Sequence, residues 1–321
     1  MTDSFGKNKN NAQSNSKKSS ETTAFKKSKS SDQVGDFKQR YETTKHDNGS
    51  LHFDQRPVTL KNPGRGKFEP SNLAKPNSEP ERITVLGQPV DLVDDHQVLQ
   101  LTAAWLSGDC RPRLIFSQNP EIIMKSLEDE KLASAMRQAD ILIPDGTGVV
   151  WALKRQGYNN VERVTGIDLM MKLLNQAQSY FARVYLLGAA ENVSAKAALK
   201  IKKEFPGVKI AGRHHGFFGK EDLPGILEDI NHSQADYLFV ALGNPQQEYF
   251  LVDNRSALNV PVAVTVGGSL DVLAGKAKRA PVWVQKIKLE WLYRLLMNPR
   301  RLCRGMQIPR FIFWVLTNRD E

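Results

Sequence analysis

Residues 141–148 read Ile-Leu-Ile-Pro-Asp-Gly-Thr-Gly, an apolar run that stops at a proline, an acid and two glycines. Ile141–Pro144 is too short for a helix and too apolar for a solvated strand, so a buried strand is expected there. The polar turn then opens a helix over Gly148–Gln156. The arrangement recurs along the chain. Apolar runs at Ile83–Leu86, Leu114–Ser117, Val184–Leu187, Lys209–Gly212, Tyr237–Leu242 and Val262–Val266 alternate with helix-like stretches at Asp95–Leu106, Pro120–Arg137, Asp168–Gln178, Val193–Glu204, Glu221–Asn231 and Pro245–Asn254. Strands of this kind, separated by helices, predict an α/β fold: a mostly parallel, Rossmann-like sheet with helices on both faces. No internal repeat is present.

In open α/β sheets ligands sit beyond the carboxyl ends of the strands. Four expected strand ends are polar and glycine-rich: Ser117-Gln118-Asn119-Pro120, Pro144-Asp145-Gly146-Thr147-Gly148, Leu187-Gly188-Ala189-Ala190, and Leu242-Gly243-Asn244-Pro245-Gln246-Gln247-Glu248. A carboxylate at Asp145 suits two duties, capping the following helix or accepting a hydroxyl proton as general base, and the sequence does not separate them. Gly188 is the best candidate for cradling a diphosphate, since glycine lets a phosphate approach the backbone at a helix start. Arg163-Val-Thr-Gly166-Ile-Asp168 brings a cation and an anion together before a helix, where Asp168 would otherwise serve as an N-cap beside an ion pair. Gln247 and Glu248 fall on a first helical turn, a favourable place for an acid in the macrodipole.

Several chemistries lack their signatures. There is no G-x-G-x-x-G, no P-loop, no Gly-x-Ser-x-Gly elbow and no H-E-x-x-H among the six histidines. The lone Cys110 and Cys303 form no metal-ligand or redox pair, and their scarcity suits a reducing compartment. Neither a metal nor a cofactor is expected. His214-His215 is read as the decoration of a strand end. Apolar runs such as Phe311–Leu316 fall far below the ~20 residues needed to cross a bilayer, and the first thirty residues lack the apolar core of a secretory signal.

The formal net charge of +10 over 321 residues is unevenly spread. Residues 1–80 carry 15 basic and 9 acidic residues, residues 81–275 carry 19 and 23, and residues 276–321 carry 11 and 3. This divides the chain into three expected parts. Residues 1–80, rich in Ser, Asn, Lys and Thr and poor in large apolar side chains, read as a solvated, disordered basic tail. Residues 81–275 form the catalytic α/β domain. Residues 276–321 form a basic helical appendage, in which a helix over Val282–Met297 aligns Ile287, Trp291 and Leu295. Its bases, interleaved with Trp283, Trp291, Tyr293 and Trp314, suit an anionic membrane surface or a phosphate-rich ligand.

Read together, Pro144-Asp145-Gly146, Arg163-x-x-Gly166-x-Asp168, Gly243-x-Pro245-x-Gln247-Glu248, Gly267-Gly268-x-x-Asp271, Arg279-Ala280-Pro281, Glu290-Trp291-x-x-Arg294-Leu295 and Pro299-x-Arg301 resemble the WecG/TagA/CpsF glycosyltransferases. The motifs follow the family order over residues 81–310. The resemblance implies transfer of an N-acetylmannosamine-type sugar from a UDP-sugar donor to undecaprenyl-diphosphate-linked N-acetylglucosamine, in cell-surface polysaccharide or teichoic-acid-type polymer synthesis. It implies inversion, no metal, and Asp145 as general base. The same resemblance implies a substrate-binding set of Ser117, Asn119, Gly146, Arg163, Asp168, Gly243, Gln247, Glu248, Gly268 and Asp271, to which the reading of its own loop adds Gly188. Arg294, Arg301 and Arg304 correspond to arginines of a mobile appendage that meets the diphosphate or the membrane. Partners would be the UDP-sugar, the polyprenyl-diphosphate-linked acceptor and an anionic membrane, with no nucleic acid. The location would be cytoplasmic, peripheral on the inner face of the plasma membrane. Two positions depart from the common pattern, Ser117 where relatives often carry Thr and Gln246 where they often carry Lys. The charge alone would also fit a nucleic-acid-binding protein, and the sheet a nucleotide-dependent oxidoreductase, although the missing glycine fingerprint argues against the latter.

Overall fold

The computed structural model describes residues 79–108, 111–277, 280–281, 284, 293 and 306–317. The basic tail and most of the helix expected over Val282–Met297 lie outside these residues, as do Arg294, Arg301 and Arg304. Among the described residues the chain runs β1 (Arg82–Val85), β2 (Gln88–Asp91), α1 (Asp95–Leu106), β3 (Arg113–Gln118), α2 (Pro120–Ser126), α3 (Glu130–Arg137), β4 (Ile141–Pro144), α4 (Thr147–Arg155) and α5 (Gly166–Ser179). It continues through β5 (Arg183–Gly188), α6 (Glu191–Glu204), β6 (Lys209–His214), α7 (Leu223–His232), β7 (Tyr237–Ala241), α8 (Gln246–Asp253), β8 (Val262–Thr265), α9 (Ser269–Leu273) and α10 (Gln307–Thr317).

Six strands form one wholly parallel sheet in the order β4-β3-β8-β7-β5-β6. Period-two alternation divides each strand between two cores. Ile115, Ile143, Leu186, Phe239 and Val264 face a cluster built with α1, α5, α6 and α9. Phe116, Leu142, Leu187, Val240 and Ala263 face a second, built with α2, α3, α7 and α8. This is the expected architecture. It also has a consequence for the carboxyl edge. Reading across the sheet, the chain leaves β3, β7 and β6 toward the second cluster, and β8, β5 and, by way of α4, β4 toward the first. Neighbouring strands therefore send their helices to opposite faces. Helices that diverge in this way open a trough at the carboxyl edge of a sheet, which is the physical origin of ligand sites at such switch points.

Three local features differ from the sequence reading. The strand at Ile83 is half of a hairpin with β2, turned at Leu86 and Gly87, whose φ of 51° and 70° suit a two-residue turn. Its polar ends hid it: Gln-Pro-Val-Asp has no strand signature. Burial is possible because Asp91, 2% exposed, accepts hydrogen bonds from Arg82 Nε (2.7 Å), Arg82 Nη2 (2.9 Å) and the Leu142 N–H of β4 (2.7 Å). The single helix expected over Pro120–Arg137 is two helices, because Asp129 caps α3 by accepting from the Leu132 N–H while also accepting from the Tyr249 hydroxyl. Such a cap is worth about 1 kcal/mol. The short helix α9 follows Gly268 where no helix was expected.

A third cluster unites the hairpin, α2, α4 and α10 through Val85, Val90, Ile123, Met124, Val149, Leu153, Phe311 and Val315. Phe311 is fully buried, which contributes roughly 2–3 kcal/mol. An ion pair between Arg310 and Glu128 closes the same contact.

Candidate active site

The register of β3 on β4 pairs Ser117 with Ile143 and Gln118 with Pro144, so Asn119 and Asp145 leave the sheet side by side. The Asp145 N–H donates to the Gln118 carbonyl at 2.8 Å, tying the two strand ends together. The next turn joins them, since Val164 donates its N–H to the Pro144 carbonyl at 3.1 Å. This brings the half-buried Arg163 beside the Asp145 loop. At the start of α5, Gly166 leaves space beside this loop. A Cβ there would lie 3.3 Å from Ser117 Oγ and 4.0 Å from Asp145 Oδ2. Ser117, Asp145 and Gly166 thus line one small space.

The capping roles fall elsewhere than the sequence suggested. The N-cap of α4 is Gly146, with φ of 90°, and it supplies no side chain. The N-cap of α5 is Thr165, not Asp168: Thr165 Oγ1 accepts from the Asp168 N–H (3.2 Å) and donates to Asp168 Oδ2 (2.5 Å). Asn119 caps α2, accepting from the Ile122 N–H at 3.0 Å.

On the β7 and β8 side, Gln247 bridges two loops. Its Oε1 accepts from the Gly267 N–H (3.2 Å) and its Nε2 donates to Glu248 Oε1 (2.8 Å), while Asn244 Nδ2 donates to Glu248 Oε2 (2.9 Å). Glu248 is on the first turn of α8, as expected, but it is not a solvated dipole partner. It is fully buried, and loss of hydration pushes its pKa up to about 7 against the opposing pull of the two amides. Gly268 is exposed at the start of α9, and Asp271 pairs with Lys276 at 3.2 Å. Gly188 pairs with Ala241 across β5 and β7, where a Cβ would stand 2.3 Å from the Ala241 carbonyl oxygen. Gly243 follows in the same loop with φ of 82°. His214 ends β6, its ring packed on His215 and Phe218.

The described members of the expected site thus share one edge, from β4 across β3, β8 and β7 to β5. Four strand spacings make this about 19 Å. Of the helices that begin at this edge, α2 and α5 carry side-chain caps, from Asn119 and Thr165. No side chain caps α4, α6 or α8. Among the described residues no three His, Cys, Asp or Glu side chains gather as metal ligands. The residues that sequence reasoning passed over are Thr165, Gly166 and Asn244. Only Gly166 left a signal, as a fixed member of its motif.

The sequence profile of the glycosyl transferase WecG/TagA/CpsF family matches residues 83–321. The chain belongs to this family. Its relatives include proteins named N-acetylglucosaminyldiphosphoundecaprenol N-acetyl-beta-D-mannosaminyltransferase. That of Bacillus spizizenii W23 is 39% identical over 202 residues, covering 63% of this chain and 78% of the relative. That of Bacillus subtilis 168 is 33% identical over 227 residues, 71% and 84% of the two chains. The Staphylococcus aureus MW2 protein is 32% identical over 246 residues, 76% and 93%. As a member of the WecG/TagA/CpsF family the protein is a glycosyltransferase.

Proposed function

We propose that this glycosyltransferase moves N-acetylmannosamine from a UDP-linked donor onto undecaprenyl-diphosphate-linked N-acetylglucosamine, for a teichoic-acid-type or related cell-surface polymer. The names of the relatives support the acceptor and the sugar. The observation that carries the mechanism is the position of the Asp145 carboxylate, half-buried at the end of β4 and sharing one space with Ser117 Oγ beside Gly166.

In this reading the acceptor hydroxyl gives its proton to Asp145 while its oxygen forms a bond to the anomeric carbon from the face opposite the diphosphate. The bond from that carbon to the diphosphate oxygen breaks, UDP leaves with the electron pair, and the configuration inverts. Negative charge growing on the leaving diphosphate meets the N-terminus of α4, which follows Asp145 directly and has no side-chain cap, so that its dipole favours an anion. Arg163 and the appendage arginines Arg294, Arg301 and Arg304 add formal positive charge, so the step runs without a metal. Ser117, Asn119 and Asp168 hold the sugar and acceptor end. Gly188, Gly243, Gln247, Glu248, Gly268 and Asp271 shape the nucleotide end.

No described helix is long and apolar enough to cross a membrane. The outward face of α10 nevertheless exposes Ile312, Phe313, Trp314 and Leu316. With the basic residues 276–305 beside it in sequence, this face supports peripheral binding to anionic lipid at the cytoplasmic side, where the acceptor is anchored. The basic charge is assigned to that surface rather than to nucleic acid.

The test is transfer from a panel of UDP-sugars to a short-chain lipid-diphosphate N-acetylglucosamine analogue, in the presence of a chelator, with the product linkage determined. Transfer of N-acetylmannosamine with inversion is expected, and Asp145→Asn should lose about 10²–10⁴ in rate while still binding UDP. Wild-type turnover in Asp145→Asn, or dependence on an added divalent cation, would overturn the mechanism.

A further inference from the structure

The two loops that bring Asn119 and Asp145 together are not held by hydrogen bonds alone. Pro120, the first residue of α2, is wedged between the first residues that follow Asp145. A Cβ at Gly146 would lie 3.5 Å from Pro120 Cδ and 3.8 Å from Asn119 Cβ, and one at Gly148 would lie 2.6 Å from Pro120 Cγ. Behind this wedge stands the ring of Phe311, fully buried, with Cε1 and Cδ1 at 3.6 and 3.7 Å from the same Gly148 position. Phe311 belongs to α10, which packs on α2 and α4 and is tied to the end of α2 by Arg310 and Glu128. The helix that carries the exposed apolar face is therefore also the backing of the loops that present the carboxylate.

We propose that Pro120 and Phe311 are positioning residues, forming with Gly146 and Gly148 a clamp that sets the separation of the Asn119 and Asp145 loops. Close packing transmits displacement. Side chains in a core of normal density have no free volume to absorb a lost ring, so removing it lets α2 and α4 shift relative to one another. Pro120 also fixes the first turn of α2 directly after the capping Asn119. The clamp acts through Asp145, and in that respect it rests on the function proposed above.

The experiment uses the full chain with UDP-N-acetylmannosamine and the short-chain lipid-diphosphate acceptor. Phe311→Ala and Pro120→Ala are expected to lower kcat about tenfold or more per folded molecule, as misplacement of a reacting group by a fraction of an ångström does, with donor KM and UDP affinity changed less than about twofold. Phe311→Leu should recover most of the rate. Val315→Ala, one turn further along the same buried face, should lower thermal stability and leave kcat intact. Pro120→Ala keeps the proposal testable even where Phe311→Ala does not fold, because alanine is acceptable at a first helical position. Asp145→Asn, measured in parallel, separates the two ideas. Full activity in Asp145→Asn overturns the reading of Asp145. An inactive Asp145→Asn together with wild-type kcat in Pro120→Ala and Phe311→Ala overturns the clamp alone.

Discussion

Glu248→Gln isolates one buried charge from all others. In the folded protein Glu248 is fully buried between two amide donors, and its pKa is raised from 4.5 to about 7, mainly by loss of hydration. A carboxyl whose folded pKa is raised favours folding most when it is protonated in both states. That contribution is complete below pH 4.5, falls as the pH rises toward 7, and is gone above it. At 1.36 kcal/mol per pH unit the loss across this window is about 3 kcal/mol. Glutamine has the same shape and no charge, but its amide must present one donor where Asn244 and Gln247 both donate. One of the three amides must turn, and Asn244, whose buried Oδ1 has no hydrogen-bond partner, can do so by exchanging one unpaired group for another, whereas Gln247 would give up the Gly267 N–H. The assay is urea unfolding of both proteins from pH 4.5 to 8.5, taking the difference in stability at each pH so that shared titrations cancel. The variant should match the wild type at the acid end, gain on it toward neutrality and exceed it by about 3 kcal/mol at pH 8. A stability difference that stays flat across the range would refute the argument.

Gly166→Ala should leave stability within about 1 kcal/mol, because alanine favours a helix start more than glycine does, yet it should reduce transfer at least tenfold by placing a methyl 3.3 Å from Ser117 Oγ. Thermal melting beside single-turnover assays checks both halves. Asp91→Ala leaves the buried Leu142 N–H without its partner and removes the Arg82 ion pair, while Arg82 keeps its bonds to the Ala139 and Asp140 carbonyls, and chemical unfolding should show a loss of about 1–3 kcal/mol.

Legibility in the sequence followed the range of the interactions. Ile141–Pro144 and Asp95–Leu106 begin and end where local patterning put them, because an apolar run or a capped, periodic stretch is defined within a few residues. The polar, glycine-rich strand ends were equally visible. The hairpin strand Gln88–Asp91 was not, since its burial depends on Arg82 and on Leu142, which is 51 residues away from Asp91. Glu248 read as an acid favoured by the helix dipole, and its burial was not visible because nothing nearby in sequence shows that α8 turns it inward toward Asn244. Thr165 lost its capping role to Asp168 in the sequence reading, since both are capable capping residues and only the backbone conformation selects one.

Alternation of apolar runs with helices determined an α/β class, and the motifs at the run ends pointed to the family. The tertiary structure decided the order β4-β3-β8-β7-β5-β6, and with it that Asp145 and Gln247, a hundred residues apart, lie along one edge. It also decided that Phe311, near the end of the chain, backs the loop that presents Asp145. Secondary structure follows from periodicity, which is local. Strand order and docking follow from which apolar faces can cover one another, a free energy that exists only once the distant parts of the chain have met.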